Sequence, residues 1–182
     1  MKATLAELQD QLARVVTDGA ALAAFERAPG EALGGLVVAD VVRYARGLGR
    51  KRWDDVSAAV PLSAQVISNL DGRYEQWLAG HPAPAVDTVL SPGAAEALRA
   101  LPDLARGIAA DPGEAPWAAE LLAFEVLLAC SRADRRSRGF RTRFAVHAIA
   151  AELRRGLIPI DPAPEPHAYA FDARGARWKA MA

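Results

Sequence analysis

A single cysteine, Cys130, stands in this chain of 182 residues. It excludes an intramolecular disulfide and any zinc site that needs two thiolates. The three histidines, His81, His147 and His167, stand at no metal-ligand spacing from one another or from the cysteine. Charge of one sign is not in excess: 22 basic side chains face 22 acidic ones, and the pI is near 6.8. That balance argues against nucleic-acid binding spread over the whole surface, which comes with a pI above about 9. There is no run of about 18 apolar residues, so no membrane-spanning helix is expected. The first residues enter an amphipathic helix without an apolar leader, and the expected location is the cytoplasm. No phosphate-cradling loop is found, because Gly47-Leu48-Gly49 lacks a preceding strand and a third glycine. No Gly-x-Ser-x-Gly elbow occurs either. Asp54-Asp55 beside Arg50, Lys51 and Arg52 reads as a solvated helix face of mixed charge. No catalytic residue, metal ligand or cofactor is therefore assigned to this chain, and recognition is its expected role.

Hydrophobic residues make up 52 % of the chain, and Ala, Leu and Val outweigh the aromatics, which favours packed helices. Thr4 and Glu7 form a capping-box pair ahead of the stripe Leu5, Leu8, Leu12, Val15, Val16. A short helix over 20–26 ends at Pro29-Gly30, and a helical pattern then runs from Val37 to Ala59 across Gly47 and Gly49. Short helices are predicted from Pro61, with Ser63 as its cap, and from Asp71, with Tyr74, Trp77 and Leu78 inward. Residues 82–92 read as an ordered surface loop. Ser91-Pro92 starts a helix that ends at Leu101, and Pro102-Asp103 starts another. Pro116 opens the longest apolar helix, Trp117 through Leu128, which is hydrophobic nearly all round and predicted to be central and buried.

That helix exits into the sharpest local feature of the chain. Arg132, Arg135, Arg136, Arg138, Arg141, Arg143, Arg154 and Arg155 are opposed there only by Asp134 and Glu152. A local positive field of this kind attracts an acidic peptide, an acidic protein surface or a phosphate backbone. A cationic helix end answering its own dipole accounts for Arg132 and Arg135 but not for Arg141 and Arg143. Phe140 to Val146 alternates apolar and polar residues, a strand signal, and Ile149 to Arg155 reads as a short helix. Residues 168–179 read as two strands around a turn at Gly175, with Tyr169, Phe171 and Trp178 sharing one face against the helical core. A small sheet of this kind leaves an edge strand, a template on which an extended peptide can add itself. The expected peptide-binding residues are Arg136, Arg138, Phe140, Arg141, Arg143, Phe144, Tyr169, Phe171 and Trp178.

Cys130 reads as a buried small hydrophobe, and His81 before Pro82 as a helix-end residue meeting terminal carbonyls. The fold class expected from these patterns is mainly α. A helical bundle over 1–137 is followed by a small α+β, winged-helix-like portion over 138–182 that contains a short antiparallel sheet.

Several segments carry a family likeness. Leu5-Ala6-Glu7-Leu8-Gln9 through Val15 opens helix one, and Tyr44, Pro61, Tyr74 or Trp77, and His81-Pro82 follow in order. Leu101-Pro102-Asp103-Leu104-Ala105-Arg106 and the long apolar helix come next. Over most of the first 130 residues the chain resembles the helical partner proteins encoded beside multinuclear non-haem iron-dependent oxidases, which modify ribosomally made peptides. Its length and strand-rich tail are similar to the methanobactin-type partner subunit; some relatives have been labelled DNA-binding proteins. The resemblance implies a division of labour. A separate TIM-barrel oxidase subunit holds the iron and oxidises a cysteine of a precursor peptide. This chain binds that subunit and grips the precursor's leader, needing no cofactor of its own. The alternative is a winged-helix-like DNA binder, with the helix near Ile149 to Arg155 as reader and the tail hairpin as wing. That helix offers few of the Asn, Gln or Ser side chains that read bases.

Overall fold

The computed structural model describes residues 4–30, 33–81 and 89–181. Among these, α1 (Leu5–Thr17), α2 (Gly19–Arg27) and α3 (Val38–Ala59) form an N-terminal helical layer. They are followed by α4 (Pro61–Val66), α5 (Leu70–Leu78), α6 (Pro92–Ala110) and α7 (Ala118–Asp134). The C-terminal part holds β1 (Arg138–Thr142), α8 (Val146–Arg154), β2 (His167–Asp172) and β3 (Gly175–Ala180). The expected mainly helical architecture with a small antiparallel sheet at the end is the one observed.

Local chemistry explains the first helices. The Thr4 hydroxyl accepts from the Glu7 N–H at 3.3 Å while Glu7 accepts from the Thr4 N–H at 2.7 Å, a complete capping box. Asp18 ends α1 and caps α2, its carboxylate accepting from the N–H groups of Ala20 and Ala21. Val15, Phe25, Leu33 and Val41 close a small core among α1, α2 and α3. The larger core is built round α7, whose Leu121, Leu122, Phe124, Val126 and Cys130 are all buried. The Cys130 thiol donates to the Ala94 carbonyl oxygen at 3.4 Å, as suits a structural cysteine.

Three expectations about helix boundaries are corrected. Residues 92–110 form one helix that passes through Pro102, not two. The inward stripe Ala97, Ala100, Leu104 and Ile108 is continuous across the proline, and its burial outweighs the missing backbone bond. Ser63 is not a cap; α4 begins at Pro61, and Ser63 is buried inside it. The α4 start is served instead by Glu125 of α7, which accepts from the N–H groups of Leu62 and Ser63 at 3.0 and 2.8 Å. Burial pushes the Glu125 carboxyl up, against the pull of those hydrogen bonds. Asn69 in the left-handed region (φ 50°), not Asp71, precedes α5. Residues 82–88 of the expected surface loop, with Pro82, lie outside the described residues.

Two close approaches tie the layers together. Arg52 of α3 forms an ion pair with Glu96 of α6 in the interior and donates to the Thr17 carbonyl at the end of α1. At Gly93 the start of α6 meets the α3 backbone so closely that a Cβ would overlap the Asp55 carbonyl.

Candidate functional site

The C-terminal sheet is placed by its own alternation. His167, Tyr169 and Phe171 of β2 are buried on one face, while Ala168 and Ala170 lie on the other. Tyr169 and Phe171 each meet the Phe124 ring edge-on with centroids 5.3 Å apart, and α7 packs against all three strands. The strand order is β1-β2-β3, antiparallel throughout, with Phe140 opposite Tyr169 and Tyr169 opposite Trp178. The β2–β3 turn is held by Asp172, which accepts from the Arg174 N–H at 2.8 Å, and by Gly175 at φ 139°. These bonds, and the positive residues beside it, hold the Asp172 carboxyl below the usual range.

Between β1 and α8 the chain turns a corner on one side chain. Glu120 of α7 accepts from the backbone N–H groups of Arg143 (3.1 and 3.0 Å) and Phe144 (3.2 Å) and from Arg143 Nε at 3.2 Å. The expected strand over 140–146 is shorter for this reason. It begins at Arg138, ends at Thr142, and gives way to α8 at Val146. Arg143 therefore lies beyond the strand and not on one strand face with Arg141.

The arginine run divides into engaged and open members. Arg138 is held by both Asp134 oxygens, at 2.8 and 2.6 Å, and reaches Ser131 Oγ at 3.3 Å. The Arg138 guanidinium keeps the Asp134 carboxyl far below its ordinary range. Arg143 is paired with Glu120 and lies 5.6 Å from the Phe144 ring centroid. Arg136 and Arg141 are exposed and form no side-chain ion pair among the described residues. Of the expected contact aromatics, Phe144, Tyr169 and Phe171 are buried, and Phe140 is half-buried against the same core. As direct peptide contacts Phe144, Tyr169 and Phe171 are thus corrected to core residues: the sheet must bury one face on α7, and these rings supply it. Trp178, 52 % exposed, is the accessible aromatic of the set and stacks on His147 at 4.2 Å.

Neither border of the sheet is paired with a further strand among the described residues. Helix α7 packs against all three strands, meeting Tyr169 and Phe171 of β2 through Phe124.

The register also assembles a face that the sequence reading passed over. Arg141 stands opposite Ala168, which stands opposite Lys179. In the next row Gly139, Ala170 and Arg177 lie side by side. Arg174 stands in the adjoining turn, and Asp172 forms an ion pair with Arg177 at 2.9 Å. The same period-two alternation that placed the tail aromatics inward could have found these cations, which occupy the intervening positions.

The fold brings His147 and His167 together, their ring centroids 4.9 Å apart, although nothing in their spacing predicts it. The Tyr169 hydroxyl lies 2.9 Å from His147 Nδ1, and burial with the neighbouring His167 pushes His147 below its usual pKa. Among the described residues no group of three or more His, Cys, Asp or Glu side chains could hold a metal ion. His81 accepts its helix-end role: its Nδ1 lies 2.7 Å from the Trp77 carbonyl, and its ring stacks on Trp77. A cleft of about 350 Å³ beside it is lined by Arg73, Gln76, Trp77, Asp103 and Leu104. Its charged groups are engaged elsewhere, Arg73 with Asp111 and Glu114, and Asp103 with Arg106. No helix among the described residues is long and apolar enough to cross a membrane. No protein-family model, curated protein or solved structure matches the chain.

Proposed function

We propose that this chain is the non-catalytic partner subunit of an iron-dependent peptide-modifying oxidase, and that it grips the leader of a ribosomally made precursor peptide. The observation that carries the reading is the β1 border, which pairs with no further strand among the described residues, with Arg136 and Arg141 exposed beside it. An extended leader adds to that border as a further strand. Main-chain hydrogen bonds then supply affinity, and the guanidinium groups select acidic side chains and set register. The oxidase subunit holds the iron and supplies the oxidation of the precursor's cysteine. The loose resemblance carried by segments over most of the first 130 residues supports the partner role, and the sheet border supports the peptide role.

The test is to search the neighbouring reading frames for a barrel-type iron oxidase and a small cysteine-containing peptide, and to co-express them with this chain. The chain is expected to co-purify with the iron-loaded subunit and to bind the precursor. Arg136→Glu with Arg141→Glu is expected to abolish peptide binding while the complex persists. Arg143 is a poor choice for reversal because it is bound to Glu120. Wild-type binding and modification by the double variant would show the basic border to be irrelevant. Duplex DNA binding that falls steeply with salt would instead support the DNA-binding alternative.

A further inference from the structure

The outer face of the sheet is not used by strand addition at an edge. Its floor is made of Gly139 on β1 and Ala168 and Ala170 on β2, which carry no more than a methyl group. Its walls are cationic: Arg141 on β1, and Arg177 and Lys179 on β3. Two inter-strand spacings separate these walls, about 10 Å. Every aromatic of the sheet, Phe140, Tyr169, Phe171 and Trp178, falls on the opposite face by register. Arg141 and Lys179 have no side-chain ion pair among the described residues, and Arg177 shares its charge with Asp172 alone. The floor is open to solvent at Gly139 and Ala170.

We infer that this outer face is a cationic trough that holds an acidic, extended peptide segment, with its carboxylates reaching Arg141, Arg177 and Lys179. Charge complementarity selects the anion. The floor selects a slim chain, because only methyl groups and glycine lie beneath it. A single-stranded nucleic acid is disfavoured by the absence of any ring on this face for a base to stack on. The inference rests on the sheet binding a peptide, but not on the iron partner and not on strand addition.

The experiment uses the full chain and a fluorescein-labelled peptide of four Glu-Ser repeats, followed by anisotropy at about 20 mM and about 300 mM salt. Wild type is expected to bind at low salt and to weaken at high salt. Arg141→Gln with Lys179→Gln is expected to weaken binding roughly tenfold, as for two exposed charge contacts. Ala170→Trp fills the floor without altering charge and is expected to weaken it similarly. Arg154→Gln with Arg155→Gln, at the end of α8, is expected to change it less than about twofold. All these positions are exposed, and a thermal melt confirms that each variant is folded. Equal binding of an all-Ser peptide would overturn the inference, as would unchanged binding by the trough variants. Loss on Arg136→Glu alone would leave the edge reading standing and remove this one. Displacement of the peptide by a lower concentration of duplex DNA, sensitive to the same variants, would make the face a nucleic-acid surface and overturn it as well.

Discussion

Replacing Glu120 with alanine should loosen the corner that presents β1. In the native chain its carboxylate receives two backbone N–H groups and one guanidinium, and its side chain is 15 % exposed. A hydrogen bond to a charged group contributes about 1.5–3 kcal/mol when its loss leaves a partner unsatisfied. Phe144 is buried, so its amide gains no full replacement from water, whereas Arg143 is exposed and its amide does. The guanidinium contact, open to solvent, adds less than about 1 kcal/mol. The expected total is therefore about 2 kcal/mol, which lowers Tm by roughly 4–8 °C for a chain of this size. Arg143→Ala removes the guanidinium's exposed contacts with Glu120, the Pro116 carbonyl and the Phe144 ring but leaves both backbone N–H groups on Glu120, and should cost less than about 1 kcal/mol. Hydrogen exchange resolves the cause. In Glu120→Ala the Arg143 and Phe144 amides should exchange roughly 30-fold faster, the equivalent of about 2 kcal/mol, while the centre of α7 loses protection only as far as global stability falls. If those two amides keep their wild-type rates, the carboxylate does not hold the corner. If the two variants melt together, the surface pair and not main-chain capture is what matters.

Gly93→Ala should destabilise by about 2 kcal/mol or more, because the added methyl overlaps the Asp55 carbonyl. Gly47→Ala, in the open on α3, should stabilise by about 0.5–1 kcal/mol; urea midpoints of the two variants would then move in opposite directions. Glu96→Ala should cost about 3–5 kcal/mol by leaving Arg52 buried without its partner, while Arg52→Met with Glu96→Leu should come back close to wild type. His147 has a folded-state pKa below its ordinary value, so the unfolded chain takes up the proton first and stability falls as pH drops below about 6.5. Asp134 and Asp172 have depressed pKa values, and their contribution is lost only in the more acidic range below about 4. Urea midpoints at about pH 7.5 and about pH 5.5 read the histidine's contribution together with the opposing one of Glu125, whose raised carboxyl favours the folded state as pH falls, and His147→Phe should remove the histidine's share; an unchanged slope in that variant would assign it elsewhere.

What was legible in the chain was local or periodic. The Thr4–Glu7 box, the Ser91 cap ahead of Pro92, the buried α7 and the tail hairpin each follow from a few neighbouring residues. Pro102 misled because a proline's local cost is visible in sequence, while the continuous buried face that overrides it is visible only in the packed bundle. Ser63 misled for the converse reason. It is a good cap by type, yet the cap of α4 comes from Glu125, far away along the chain. The arginine run read as one feature because its members are neighbours in sequence. Asp134 and Glu120 then take Arg138 and Arg143, and only the fold brings Glu120 within reach.

By itself the amino-acid order determined the helical character, the tail hairpin of β2 and β3 and the local excess of positive charge, since each depends on short-range spacing, whereas the pairing of β1 with β2 joins residues as far apart as Arg138 and Phe171. Only the tertiary structure decided which guanidinium groups stay open, which rings vanish into the interior and which strand borders are left without a neighbour. Those outcomes turn on where side chains far apart in the chain come to rest, and short-range pattern does not carry that information.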